Sequence, residues 1–151
     1  DDFIFGNVRV LNGTENPETI TGSDDDEMIF GLGGNDSLNG GGGDDTLDGG
    51  AGVDTLVGGD GADVYKFSLL TDSTETAYDR IYGFEVGVDT IDLSGLGFTG
   101  VVTGAAQAGE LRLTYSSGSD RTYVRDDFGP FEFFLQGNYT ATLTDNDFIF
   151  A

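Results

Sequence analysis

The chain contains no cysteine and no histidine, and its only basic residues are one lysine and five arginines among 151 residues. Without cysteine there are neither disulfides nor thiol chemistry, so cysteine usage leaves the redox compartment unmarked. Without histidine, the zinc-protease helix motif and the Ser-His-Asp arrangement are both excluded. The glycine clusters lack the GK[ST] ending of a phosphate loop. Six basic residues against 28 acidic ones give a formal charge of −22. Nucleic acid and anionic membranes gain nothing from so negative a surface, so neither is expected as a partner. No apolar run reaches the length of a membrane span, and no basic-then-apolar leader opens the sequence, so export is expected by another route. Two prolines, 26 glycines, 12 phenylalanines and short apolar runs without a long 3.6-residue period favour strands in a single domain.

What is present is a period. Residues 13–66 read as six consecutive nine-residue units, GTENPETIT, GSDDDEMIF, GLGGNDSLN, GGGGDDTLD, GGAGVDTLV and GGDGADVYK. The last two satisfy GGxGxDxUx at every fixed place, where U is a large apolar residue. Leu11, Ile20, Ile29, Leu38, Leu47, Leu56 and Tyr65 recur in phase. A flexible Gly/Asp-rich linker keeps no such phase, so the period predicts a stacked repeat.

Each place has a physical task. Glycines at places one, two and four permit positive φ and close backbone approach, which turns the chain and presents carbonyl oxygens inward. The residue at place six adds a carboxylate, and the last three residues run extended with the middle one in the core. Hard oxygen donors without histidine or cysteine suit calcium and argue against zinc or copper.

These units resemble the calcium-binding nonapeptides of repeats-in-toxin proteins, which implies a parallel β-roll with two units per coil. Like-sided turns then lie two units apart and clasp calcium between them. The resemblance pairs Asp36 with Asp54 on one side and Asp45 with Asp63 on the other. It adds turn residues Gly31, Gly33, Gly40, Gly42, Gly49, Ala51, Gly58 and Asp60 to the expected sites. The first two units depart from the pattern, with Glu18 and Glu27 at place six, so sites there are expected to be weak, altered or missing. Leu11, Ile29, Leu47 and Tyr65 should stack on one sheet, and Ile20, Leu38 and Leu56 on the other. A core two side chains thick buries little apolar surface at roughly 25 cal/mol per Å², so calcium and a cap are expected to supply the remaining stability.

The predicted division is a leading strand or linker over 1–12, repeats over 13–66 and a cap over 67–151, all one module. The fold class is all-β, a parallel β-roll closed by a C-terminal cap of mostly antiparallel strands. Within the cap, 111–115 and 121–125 predict a hairpin around Gly118, with further strands over 131–135 and 148–150. Asp79-Arg-Ile81 and the run 87–92 repeat parts of the nonapeptide, so Asp79 and Asp89 are candidates to complete calcium sites with the last turns. The alternative, ordinary turn aspartates ahead of strands, stays open on the sequence. Residues 2–5 and 147–150 are both Asp-Phe-Ile-Phe, as expected of one module from a tandem series. The second copy also fits a type I export signal, an acidic residue followed by apolar ones.

The segment 79–94 is similar to the carboxy-terminal domain of serralysin metalloproteases and other type I secretion substrates. Together with 91–100, 121–125, 131–138 and 145–150, it looks more specifically like the non-catalytic R-modules of secreted mannuronan (alginate) epimerases. The resemblance implies a secreted, calcium-binding accessory to a catalytic module in the same polypeptide, itself not an enzyme. The family's catalytic Tyr, His, Lys and Asp set has no place in a chain without histidine. The alternative is the folding and secretion domain of another type I-exported protein, such as a serralysin-like protease. Alginate is a polyanion, and the expected contact is weak or absent, with Lys66, Arg112, Arg121, Tyr123 and Arg125 as candidates. A competing expectation is that these arginines pair with the many carboxylates.

Overall fold

The computed structural model describes the backbone of residues 3–5 and 8–150, with side chains from Val8 onward. Among the described residues fifteen strands form two sheets, β1 (Phe3–Phe5), β2 (Val8–Asn12), β3 (Thr19–Thr21), β4 (Glu27–Phe30), β5 (Ser37–Gly42), β6 (Thr46–Asp48), β7 (Thr55–Asp60) and β8 (Val64–Lys66) coming first. The cap adds β9 (Asp79–Tyr82), β10 (Thr90–Asp92), β11 (Gly100–Val102), β12 (Glu110–Ser116), β13 (Arg121–Asp126), β14 (Glu132–Gln136) and β15 (Phe148–Ile149), the last following a 3-10 turn at Asp145–Asp147. From β2 to β11 successive strands alternate between the two sheets. The first sheet runs β1-β2-β4-β6-β8-β10-β15 and the second β11-β12-β13-β14-β9-β7-β5-β3.

The nine-residue period sets this arrangement. One unit crosses from sheet to sheet, two complete a coil, and strands 18 residues apart pair in parallel: Leu11 opposite Ile29, Ile29 opposite Leu47, Leu47 opposite Tyr65. On the facing sheet Ile20, Leu38 and Leu56 are in register. Both predicted columns are therefore present, and each continues into the cap, through Ile91 and Phe148 on one sheet and Ile81 and Leu135 on the other. Leu38, Leu47, Leu56, Ile29 and Tyr65 are fully buried, each burial being worth about 1.5–3 kcal/mol. Tyr65 is the last core residue of the nine-residue units and carries a larger ring, whose hydroxyl accepts the N–H of Gly58 at 2.9 Å.

The cap thickens the core with rings. Phe67 stacks on Phe133 at 4.8 Å and meets Phe131 edge-on at 5.4 Å, and Phe98 lies 5.4 Å from Phe131. The predicted hairpin is β12–β13, and β14 extends it, all antiparallel. Among the named cap strands antiparallel pairing is confined to these three, with isolated antiparallel bridges from Thr74 to Ala77 and Phe131, which is narrower than the sequence predicts: β9, β10, β11 and β15 all pair in parallel. The roll does not end at Lys66; its ladders run on into the cap. In the β12–β13 turn the left-handed residue is Asp120, φ 51°, and not Gly118.

Place one also differs from expectation. Positive φ is found at places two and four, as at Gly50 and Gly52, whereas Gly40, at place one, is outside that region. Gly40 lacks a side chain for another reason: a Cβ there would collide with Oδ2 of Asp45 and the carbonyl of Gly58. Leu32 holds place two of its unit at φ 74°, a left-handed conformation costing an L-residue about 1–2 kcal/mol.

Replacing Gly52 by Ala combines positive φ with a Cβ driven into the Gly34 carbonyl, while Gly118 has open space around it. Thermal unfolding should show Gly52→Ala destabilised by about 2 kcal/mol or more and Gly118→Ala changed by less than about 0.5 kcal/mol. Equal shifts would disprove the coil packing described.

Candidate metal centre

The place-six side chains form two ladders, one along each edge of the roll. On the first edge the N–H of Glu18 donates to Oδ1 of Asp36, that of Asp36 to Oδ1 of Asp54, and that of Asp54 to Oδ1 of Asp79, each at 2.8 Å. On the second, Glu27 donates to Asp45 at 2.8 Å, Asp45 to Asp63 at 3.0 Å and Asp63 to Asp89 at 3.1 Å. Each carboxylate thus reaches back one coil with one oxygen. The other oxygen, Oδ2 of Asp36, Asp45, Asp54 and Asp63, is buried and has no hydrogen-bond partner.

A carbonyl shares that space. The point where a Cβ of Gly31 would sit lies 2.6 Å from Oδ2 of Asp36 and closer still to the carbonyl of Gly49. Gly40 has the same surroundings, from Asp45 and Gly58. The carbonyl of Leu32 lies where a Cβ of Gly50 would sit and accepts the N–H of Ala51 at 3.0 Å, and the carbonyl of Gly34 lies likewise against Gly52. The turns at places three pair as well, Gly33 with Ala51 and Gly42 with Asp60. At places one and six the carbonyls of Gly49 and Gly58 crowd the Oδ2 atoms of Asp36 and Asp45 from the adjacent coil, and no donor reaches those Oδ2 atoms.

Burial is the main cause of the resulting titration. It raises the carboxyls of Asp36 and Asp63 above the ordinary range, and lifts Asp45 to about 7, Asp54 to about 6 and Asp79 to about 9. Backbone donors on the ladder oppose the rise, and neighbouring carboxylates add to it, Asp63 and Glu27 acting on Asp45 and Asp36 on Asp54. Asp89 is raised by burial too.

The residues fit calcium. It takes six to eight oxygens, charged and carbonyl together, at flexible geometry, and the unpartnered Oδ2 atoms with converging carbonyls are that donor set. Among the described residues no three His, Cys, Asp or Glu side chains gather as a metal-holding group. An ion in these gaps would have fewer than three such side chains within reach and would need main-chain oxygens to complete its shell.

The remaining candidates divide. Glu27 joins its ladder by its N–H, but both of its carboxylate oxygens accept from Ser23, and Glu18 is held by Thr14 in the same way. Asp60 is exposed, and only its backbone takes part in the turn. Asp79 and Asp89 take the last rungs at spacings of 25 and 26 residues, where the roll itself keeps 18. A further ladder was not read from the sequence. Asp26 accepts from the N–H of Asp44, Asp44 from Ala62, and Asn35 from Val53. The recurrence of Asp or Asn at place five is its signal. Asp48, at place nine next to the core residue Leu47, is buried where Ser68 donates to its Oδ2 at 2.8 Å.

The basic candidates do not form one group. Arg121, Tyr123 and Arg125 alternate with buried Thr122 and Val124, so they face outward from the second sheet, with Arg112 opposite Arg125. Lys66 lies on the outer side of the first sheet and pairs with Asp92 at 2.7 Å. Arg112 meets Asp127 at 2.8 Å and Arg125 meets Glu132 at 3.4 Å. Arg121 lies over the ring of Phe134 at 4.2 Å.

A family model described as Peptidase M10 serralysin C terminal matches residues 3–150. The chain belongs to this family. Within it, the similarity is to R-modules of mannuronan C5-epimerases. The solution structure of the AlgE6R3 subunit from Azotobacter vinelandii superposes with a TM-score of 0.75 at 39% identity, over 92% of this chain and 81% of that one. The AlgE6R2 subunit gives 0.63 at 41%, over 87% and 92%. Mannuronan C5-epimerase AlgE2 of the same organism is 45% identical over 99 residues, 58% of this chain and 10% of that protein. Alginate lyase 7 is 41% identical over 96 residues, 58% of this chain and 11% of its own length. This serralysin-family chain therefore spans only about a tenth of those relatives. The extracellular lipase LipA of Serratia marcescens, at 18% identity and a TM-score of 0.67 over 99% of the chain, shares the fold.

Carboxyls raised by folding bind protons more tightly folded than unfolded, so their contribution is complete below the ordinary value near 3.8 and is lost as pH rises through about 6 to 7. In excess chelator the folded fraction read by circular dichroism should rise when the pH is lowered from about 7.5 to about 5. A metal-free roll that loses stability over that interval would refute the buried-carboxylate reading.

Proposed function

We propose that the chain is a non-catalytic accessory module of an exported alginate-modifying enzyme, folded by calcium held between the turns. The unpartnered, buried Oδ2 atoms of Asp36, Asp45, Asp54 and Asp63 carry the calcium part. The alginate part rests on relatives at 41–45% identity, whose names are those of mannuronan epimerases and an alginate lyase. A second reading is the folding and export domain of some other secreted protein. The lipase that shares the fold supports it, but at far lower identity.

In this reading the ions neutralise oxygens that otherwise repel, and binding free energy becomes folding free energy. Extracellular calcium modules bind in about the 10⁻⁴–10⁻³ M range, so the roll stays loose in the producing cell and closes outside it. The catalytic module of the same polypeptide is the covalent partner. Circular dichroism and amide dispersion should show the fold gained with calcium and lost with chelator. An unchanged fold in chelator would count against the proposal. Asp54→Ala and Asp45→Ala should lower the calcium-saturated melting temperature clearly. Glu18→Ala, whose oxygens close only their own turn, should change it little; equal shifts from all three would mean the sites lie elsewhere.

Any contact with alginate falls on the outer face of the second sheet. There Arg80, Arg112, Arg121 and Arg125 lie among Tyr78, Tyr82, Tyr123 and Phe134, by register and ring contacts. Guanidinium groups suit uronate carboxylates and flat rings suit sugar faces. Two of these arginines are already paired, and the chain is strongly acidic, so affinity is low. Calorimetry with mannuronate and guluronate oligomers should show weak heats at low ionic strength that vanish at high salt and in the Arg112, Arg121 and Arg125 to Ala triple variant. Strong heat surviving either change removes this face from consideration.

A further inference from the structure

The two Asp-Phe-Ile-Phe segments make different backbone pairings. At the carboxyl end β15 lies parallel to β10, with Ile91 opposite Phe148 and Asp92 opposite Ile149. The N–H of Leu93 donates to the carbonyl of Ile149 at 2.9 Å. Along a strand the main-chain polar groups alternate sides residue by residue, so Ile149 faces β10 while Phe148 and Phe150 face the outer edge. The N–H of Phe148 turns back to the carbonyl of Asp145, which leaves the Phe148 carbonyl and both groups of Phe150 directed outward.

At the amino end β1 lies antiparallel to β2, with Phe3 opposite Val10, Ile4 opposite Arg9 and Phe5 opposite Val8. The N–H of Arg9 donates to Asp26 on the other side, at 3.2 Å. Val8 and Val10 are therefore the residues whose polar groups face β1, and Phe3 and Phe5 bond to them. Ile4 faces away. The same triad thus uses its middle residue on one edge and its outer residues on the opposite edge.

The faces of the strand agree with this. Phe148 is buried, its ring stacked on Phe150 at 5.6 Å, whereas Ile149 is 42% exposed on the other face. The residue equivalent to Ile149 in β1 stands opposite Arg9, and Arg9 is on the face of β2 that carries Leu11, the first rung of the core. A second roll joined at this strand would bring its end rung over Ile149.

We propose that one Asp-Phe-Ile-Phe strand serves two modules at once, closing one roll along β10 and opening the next along β2. The first sheet then runs unbroken from module to module, with successive rolls on its opposite faces. The occupant of the β15 edge is thus a second copy of this module, following in the same polypeptide. The inference rests on the reading of the chain as one of a series of accessory modules.

The test compares two tandem proteins in calcium. In one, Phe150 of the first copy is followed directly by Gly6 of the second, so that a single strand must serve both. In the other, a Gly/Ser linker joins two complete copies. The shared-strand protein should tumble as one body by NMR relaxation, with both halves melting together and the Phe150 amide exchanging at least about tenfold more slowly than in a single module. The linker protein should tumble as two. Ile149→Asp should uncouple the shared-strand halves while leaving the melting temperature of the single module unchanged. Independent tumbling, or an unfolded second half, in the shared-strand protein overturns the inference when the linker protein folds. If neither protein gains dispersion with calcium, the calcium reading fails, and the inference with it.

Discussion

Oxygen crowding at the turns is the constraint on which the rest of this structure depends. An 18-residue coil brings the place-six carboxylate of one turn against the place-one carbonyl of the turn 18 residues on, over a glycine that has no side chain to keep them apart. Parallel pairing of the strands fixes that approach. It cannot be relaxed without breaking the ladders, so the roll needs a positive charge in the gap or a proton on the acid. The raised carboxyls of Asp45 and Asp54 express the second option, and calcium would supply the first in the proposed function.

The cap follows from the same geometry. A roll has two open ends, each presenting unpaired strand edges and a core of single side chains. Tyr65, Phe67 and Phe84 enlarge that core at one end, and β9 and β10 extend both ladders while breaking the period with longer loops. Asp79 and Asp89 arrive at the next rung despite those loops. The cap therefore completes the last turns chemically and also covers them sterically.

Charge is segregated. The turns are acidic on both edges, while four of the six basic residues stand together on the outer face of the second sheet. Aromatic rings hold them there: Arg121 covers Phe134, and Phe134 is enclosed by Tyr78, Tyr82 and Tyr123. Exposed ion pairs add little stability, so the arrangement matters more for what the face can meet than for how the module folds.

The sequence by itself determined the period. A period of nine with a core residue at place eight and an acid at place six fixes which residues recur in phase. The family resemblance added that two units make one coil, which separates the columns from Leu11 to Tyr65 and from Ile20 to Leu56 and the ladders of Asp36 with Asp54 and of Asp45 with Asp63. The cap hairpin was legible for a similar reason, alternation around a short turn. Tertiary structure decided whatever lies beyond a fixed spacing. Loops of irregular length put Asp79 and Asp89 on the ladders, Ser68 and its loop buried Asp48, and strand order gathered Arg80 with Arg112, Arg121 and Arg125 while sending Lys66 to the opposite side. Local periodicity specifies neighbours at constant separation, but the register of a strand that returns after a long loop is set only by the packing it meets.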